Sequence, residues 1–172
     1  MTRDRGAAAK ANRTTGAPIS LDIAQEQIPP ETILDALDVL ETADADLNRV
    51  AVGHSNVIGL DMPLMKQLLE KGVYLQFDRL GDFPHVYTKV SDHDVALAVI
   101  ELIKQGHLNR LLLSQDVNSK IDLKSYGGSG YSFILERYAP YIRKLGVTEE
   151  QFEAIMVDNP RRLLSFAEPR RE

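Results

Sequence analysis

A chain of 172 residues without cysteine is long enough to bury a sizeable core in one domain, offers no thiolate nucleophile, and must draw any metal ligand from His, Asp or Glu. A formal net charge of -5, with no basic patch interleaved with aromatics, argues against nucleic acid as a partner. No apolar stretch follows the charged opening Met1-Thr2-Arg3-Asp4-Arg5 and no run of about 18 apolar residues occurs anywhere, so neither a signal peptide nor a membrane span is expected, and the chain reads as soluble and cytoplasmic.

In chain order, the Ala-rich residues 4–14 favour a helix that Gly16 is placed to stop. Residues 17–22 then read as a short strand ending in Asp22. Pro29 and Pro30 precede Ile33, Leu34, Leu37 and Leu40 at helical spacing, which predicts a helix up to about residue 43. A second unit opens with a β-branched run over 49–54 that exits through His54. Its helix is capped by Asp61, carries Leu64, Met65, Leu68 and Leu69 on one face, and stops at Gly72.

The third strand, residues 73–78, exits through Asp78 into Arg79-Leu80-Gly81-Asp82. Residues 91–105 place Val95, Ala98, Val99, Leu102 and Ile103 on one helical face, with Gly106 as the stop. The fourth strand holds Leu111-Leu112-Leu113, an apolar run expected to be buried on both faces, and leads out to Asp116. Four strands alternating with helices are the signature of parallel βαβ units. The residues at their C-terminal ends, Asp22, His54, Asp78 and Asp116, would share one face, where such folds build their active sites. Each alone is equally well read as a helix cap or a solvated loop residue; the recurrence points to a site.

After Asp116, residues 117–130 contain Gly127-Gly128-Ser129-Gly130, a segment too long and polar for a simple connector and without the Lys-Ser/Thr ending of a phosphate-binding P-loop. An amphipathic helix interrupted at Pro140 is expected over 131–145, and Thr148-Glu149-Glu150 opens another with an acidic first turn. Asn159-Pro160 reads as an N-cap followed by a proline at the first position of a closing helix. His85, His93 and His107 read as solvated or capping residues, and Arg161-Arg162 with Arg170-Arg171 as a solvated helix end.

Taken together, Thr15-Gly16-Ala17-Pro18, Val52-Gly53-His54-Ser55, Phe77-Asp78-Arg79-Leu80-Gly81, Leu113-Ser114-Gln115-Asp116, Tyr126-Gly127-Gly128-Ser129-Gly130-Tyr131 and Asn159-Pro160-Arg161-Arg162-Leu163 resemble, in order and spacing, the phosphotriesterase family with its lactonase-like and phosphotriesterase-related members. The resemblance implies an α/β fold, the C-terminal (β/α)4 half of an amidohydrolase-type TIM barrel, as a single partial domain over residues 1–172 whose strands correspond to barrel strands five to eight. It implies a metal-dependent hydrolase of phosphoester or lactone bonds that uses a metal-bound hydroxide, with zinc as the divalent metal and a small-molecule ester or lactone as substrate.

His54 and Asp116 fall on a metal histidine and on the catalytic, metal-ligating aspartate. Asp22 stands where the family has a further metal histidine. Asp78 and Arg79 match the strand-seven signature beside the substrate pocket, which supports the metal centre. The family's His-x-His and carboxylated lysine have no counterpart here, so an isolated chain is expected to hold at most one metal ion and to be incomplete as an enzyme. The other reading is a non-catalytic half-barrel, an interaction module or truncated gene product. In either case two unpaired strand edges invite a homodimer or a complementing N-terminal half-barrel.

Overall fold

In a computed structural model of the chain, residues 2–23, 29–82 and 89–169 are described. Four parallel strands, β1 (Ile19–Asp22), β2 (Val50–Gly53), β3 (Tyr74–Phe77) and β4 (Leu111–Leu113), lie in sequence order in one sheet. Each is joined to the next through a helix: α2 (Pro30–Thr42), α3 (Met62–Glu70) and α4 (Asp92–Lys104), with α1 (Thr2–Thr15) ahead of β1. The register sets Ile19 beside Val50, Val52 beside Leu75 and Phe77 beside Leu113. The predicted βα alternation is therefore present, with β1 and β4 as the edges of the sheet.

Strand alternation sorts the side chains onto two faces. Val50, Val52, Leu75, Phe77, Leu111 and Leu113 pack in one core with Ile33, Leu37 and Leu40 of α2, Met65 and Leu68 of α3, and Val95, Val99 and Leu102 of α4. Full burial of each such side chain stabilises the fold by about 1.5–3 kcal/mol. The helices are cut where the sequence puts its stops. Asp61 accepts the Leu64 N–H at 3.0 Å, Ser91 and Asp94 form a reciprocal capping box at the start of α4, and Gly72 and Gly106 take positive φ at the helix ends.

On the other face, Ala51, Tyr74 and Leu112 form a small separate cluster with Leu163. Leu163 belongs to α7 (Asn159–Leu164), and the chain beyond it returns to the start of β1. The Ala167 N–H donates to the Gly16 carbonyl at 3.0 Å, and Arg49 donates to the carbonyls of Gly16 (3.1 Å), Leu163 (2.9 Å) and Ser165. One guanidinium thus ties the end of the chain to the N-terminal ends of β1 and β2.

The C-terminal helices depart from the sequence reading in an instructive way. A π-helical turn, Ile134–Tyr138, runs straight into α5 (Ala139–Lys144), so Pro140 does not end the helix. The same arrangement recurs where α6 (Glu149–Glu153) continues through a π turn, Ala154–Asp158, into α7. A proline clashes with the carbonyl four residues before it, and both of those carbonyls, on Glu136 and Met156, lie inside the wider turn. Asn159 is consequently no N-cap. It has helical backbone, is fully buried, and its amide donates to the carbonyls of Leu108 and Leu111, both at 2.8 Å.

Candidate functional site

The C-terminal ends of the four strands lie at one end of the sheet, and the residues that leave them carry the site. β2 ends at Gly53, and His54 follows in a left-handed backbone conformation, φ 55° and ψ 31°. For a residue with a Cβ this costs about 1–2 kcal/mol. The compensation comes from the neighbouring strand: both carboxylate oxygens of Asp78 accept the His54 backbone N–H, at 3.0 and 3.1 Å. Asp78 is 5% exposed, so the backbone turn is held by a buried charge.

The same carboxylate faces the ring. Nδ1 of His54 lies 2.9 Å from Oδ1 of Asp78; the approach is close but not aligned as a hydrogen bond, and Nδ1 is buried. Nε2 points the other way, with Oδ1 of the exposed Asp22 at 3.6 Å. Gly53 lies against this corner, where a Cβ would be in contact with Asp78 Oδ2 and the Leu21 carbonyl, each at 3.4 Å.

Arg79 is engaged through both its backbone and its side chain. Its backbone N–H donates to the buried Asn56 side chain at 3.2 Å and its Nε to Asp82 at 2.7 Å. Burial pushes the Asp82 carboxyl above the ordinary carboxylate value, Arg79 pulls it back, and the charges of Asp116 and Asp122 raise it further. Asp116 is exposed at the exit of β4, again with positive φ (48°), and one of its oxygens accepts the Asn118 amide at 3.2 Å.

The glycine-rich segment after Asp116 folds on itself through two 3-10 turns, Lys120–Asp122 and Lys124–Tyr126. A Cβ on Gly128 would sit 2.3 Å from the Asp122 backbone, so only glycine fits there. Together with the segment after β3 it encloses a cavity of about 270 Å³ lined by Leu80, Asp82, Gln115, Val117, Ile121 and Tyr126. The two segments are tied at Gly81, whose carbonyl accepts the Ser129 hydroxyl at 2.6 Å and whose N–H donates to Asp92 at 3.0 Å.

Of the residues singled out in the sequence, His54, Asp78 and Asp22 come together, Arg79 is paired to Asp82, and Asp116 lies on its own strand end near Asp82. Sequence reasoning missed Gln76, Asn56 and Ser129. For Gln76 the signal was available, because position i-2 from Asp78 shares its face of β3. His93 is engaged with the Tyr141 hydroxyl, His107 precedes the 3-10 turn Leu108–Arg110 without a side-chain cap bond, and His85, Arg170 and Arg171 lie outside the described residues.

The sequence profile of the phosphotriesterase family matches residues 4–164. The chain belongs to that family. Over 166 residues it is 33% identical to the N-acetyltaurine hydrolase of Dictyostelium discoideum, covering 93% of this chain and 44% of that protein. It superposes with a TM-score of 0.87 and 33% identity on a resiniferatoxin-binding protein from Rhodobacter sphaeroides, covering 95% of this chain and 46% of that one. The phosphotriesterase homology protein of Escherichia coli, solved with phosphate in its active site, gives a TM-score of 0.84 at 28% identity, with 95% and 53% covered. The chain thus spans about half the length of the relatives it matches, and its sheet follows half of the TIM barrel seen in phosphotriesterase-family structures.

Phosphotriesterase-family enzymes are generally metal-dependent, which makes the donor set of this chain the point to test. His54 offers one imidazole nitrogen to the open side, with a carboxylate 3.6 Å away. Among the described residues no three His, Asp or Glu side chains converge as ligands. A catalytic zinc site takes three protein ligands, so the donors of this chain by themselves do not fit the ion. No helix among the described residues is long and apolar enough to cross a membrane.

Proposed function

We propose that this chain forms the strand-five-to-eight half of a phosphotriesterase-family hydrolase of phosphoester, lactone or N-acyl bonds, and that further metal ligands come from residues outside it. The observation that carries this reading is the bracing of His54, held through its backbone by the buried Asp78 with Nε2 left towards the strand ends. A left-handed histidine fixed by a buried carboxylate serves a side chain that must point one way. In this reading Asp116 accepts the proton of the attacking water, Asn118 fixes one of its oxygens and leaves the other free to act, and Asp78 and Arg79 support the wall of the pocket. A divalent ion bound in the completed barrel, zinc by the chemistry of its donors, would acidify water and polarise the oxygen of the bond under attack.

The test is metal content by elemental mass spectrometry after gel filtration from zinc-containing buffer, alongside hydrolysis of esters, lactones and N-acetyltaurine. The expected result is less than one tightly held ion on the chain alone. Bound metal and turnover are expected when it is co-expressed with the first four βα units of a relative, both lost on His54→Ala or Asp116→Ala. A completed barrel without metal or turnover would overturn the reading.

A second reading is favoured by Asp22, a carboxylate where the family resemblance places a histidine. Relaxed ligand identity fits a half-barrel kept for association, its β1 and β4 edges taken up by a second copy or by a complementing half. In that case sedimentation shows a stable assembly that retains no metal.

A further inference from the structure

We propose that Gln76 is a positioning residue for His54, acting through Asp78. Gln76 and Asp78 occupy alternate positions along β3 and its exit, on the same side of the sheet, so their side chains project in parallel. Nε2 of Gln76 donates to Oδ2 of Asp78 at 2.6 Å. A carboxylate only accepts, so the amide nitrogen and not the amide oxygen must face it.

The consequence falls on the other oxygen. With Oδ2 engaged by Gln76 and both oxygens sharing the His54 backbone N–H, the carboxylate cannot rotate, and Oδ1 stays 2.9 Å from the buried Nδ1. If Nδ1 carried a lone pair, that lone pair would face an anionic oxygen with no water to screen it. If Nδ1 carries the proton, the same contact is attractive. The carboxylate therefore selects the Nδ1–H tautomer and leaves Nε2 as the nitrogen with a lone pair, turned towards Asp22 and the strand ends. Gln76 thereby sets which nitrogen of His54 is available, although it does not contact the ring. This inference rests on the reading of His54 given under the proposed function.

The tautomer is read directly from the two-bond and three-bond nitrogen–hydrogen correlations of the His54 ring by NMR, in chelator-treated chain at a pH where the ring is neutral. The parent chain is expected to show Nδ1 protonated and Nε2 bare. Gln76→Met, of similar volume without a donor, and Gln76→Glu, of similar shape without an N–H, are both expected to lower the Nδ1–H fraction severalfold. Amide shifts of the outward core face, unmoved in either variant, establish that it is folded, and one folded variant suffices. An unchanged tautomer ratio in the variants would overturn the role of Gln76 while leaving the proposed function intact. A parent chain with Nε2 protonated would instead remove the presentation of Nε2 on which that function relies.

Discussion

The carbonyl oxygen of Ala167 occupies the place where a side chain on Gly16 would have to go, 1.9 Å from an ideal Cβ. Gly16 also has a φ of 69°, and its own carbonyl accepts from Ala167 and from Arg49. The start of β1 and the end of the chain are therefore one structural unit, although about 150 residues separate them. Gly16→Ala is expected to cost about 2 kcal/mol or more, from positive φ and displacement of the returning segment together. Urea denaturation measures it. Deleting residues after Ser165 in the Gly16→Ala background should cost less than it does in the parent chain, because the alanine has already displaced that segment; additive losses would show that the two ends are not coupled.

The left-handed turn at His54 makes a second prediction. His54→Ala and His54→Gly both remove the ring, so their difference isolates the backbone. The glycine variant is expected to be more stable by about 1–2 kcal/mol, against the usual order of the two residues. Asp78→Asn, which exchanges a charged acceptor for a neutral one that must also place two N–H groups, is expected to destabilise by about 2–3 kcal/mol. If Asp78→Asn were neutral in a chemical melt, the carboxylate would not be what holds the turn.

Much of this was legible beforehand, for physical reasons. The four βα units show in the sequence because apolar spacing and helix stops are local, as with Ile33, Leu37 and Leu40 or Asp61 and Gly72. The strand-end residues stood out because parallel strands deliver each exit to one end. Asn159 was misread because Asn-Pro is a helix-start pattern, whereas its carbonyl partners, Leu108 and Leu111, lie 51 and 48 residues away and leave no local trace. The π turn that lets Pro160 sit inside a continuing helix is likewise invisible to a 3.6-residue pattern.

Two acids in the first turn of α4 should titrate with opposite signs. Burial raises the Asp92 carboxyl above the ordinary value, against the favourable bond from the Gly81 N–H, while bonds from Ser91 lower that of Asp94. A raised folded value means that the Asp92 contribution is fully present below about pH 4, the unfolded value, and is lost as pH rises through the folded one. A lowered value means that the Asp94 contribution is present above about pH 4 and is lost as pH falls through the folded value. Asp92→Asn should therefore gain on the parent chain as pH rises above about pH 4, whereas Asp94→Asn should fall behind it as pH rises towards about pH 4 from below and lose no further ground above it. Denaturant midpoints on both sides of that value decide it, and parallel profiles for the two variants would contradict the assignment.

The amide of Asn159 gives the most direct test of how the C-terminal helix is fastened to the sheet. Both of its N–H groups are used, one on the carbonyl of Leu108 and one on that of Leu111 at the start of β4, in a site with no solvent access. Asn159→Ala leaves both carbonyls without this donor and opens a small void. Each lost bond is worth about 1 kcal/mol, and the void adds to that, while the Leu108 carbonyl keeps the Leu111 backbone N–H, so a loss of about 2–3 kcal/mol is expected. Asn159→Asp keeps the shape but turns acceptors towards acceptors, and it should be worse than alanine at neutral pH. Because Leu163, one turn later, closes the inner cluster of Ala51, Tyr74 and Leu112, the same variants should speed exchange of the β4 amides more than those of β1. Equal protection at both strands would place the fastening of this helix elsewhere than at Asn159.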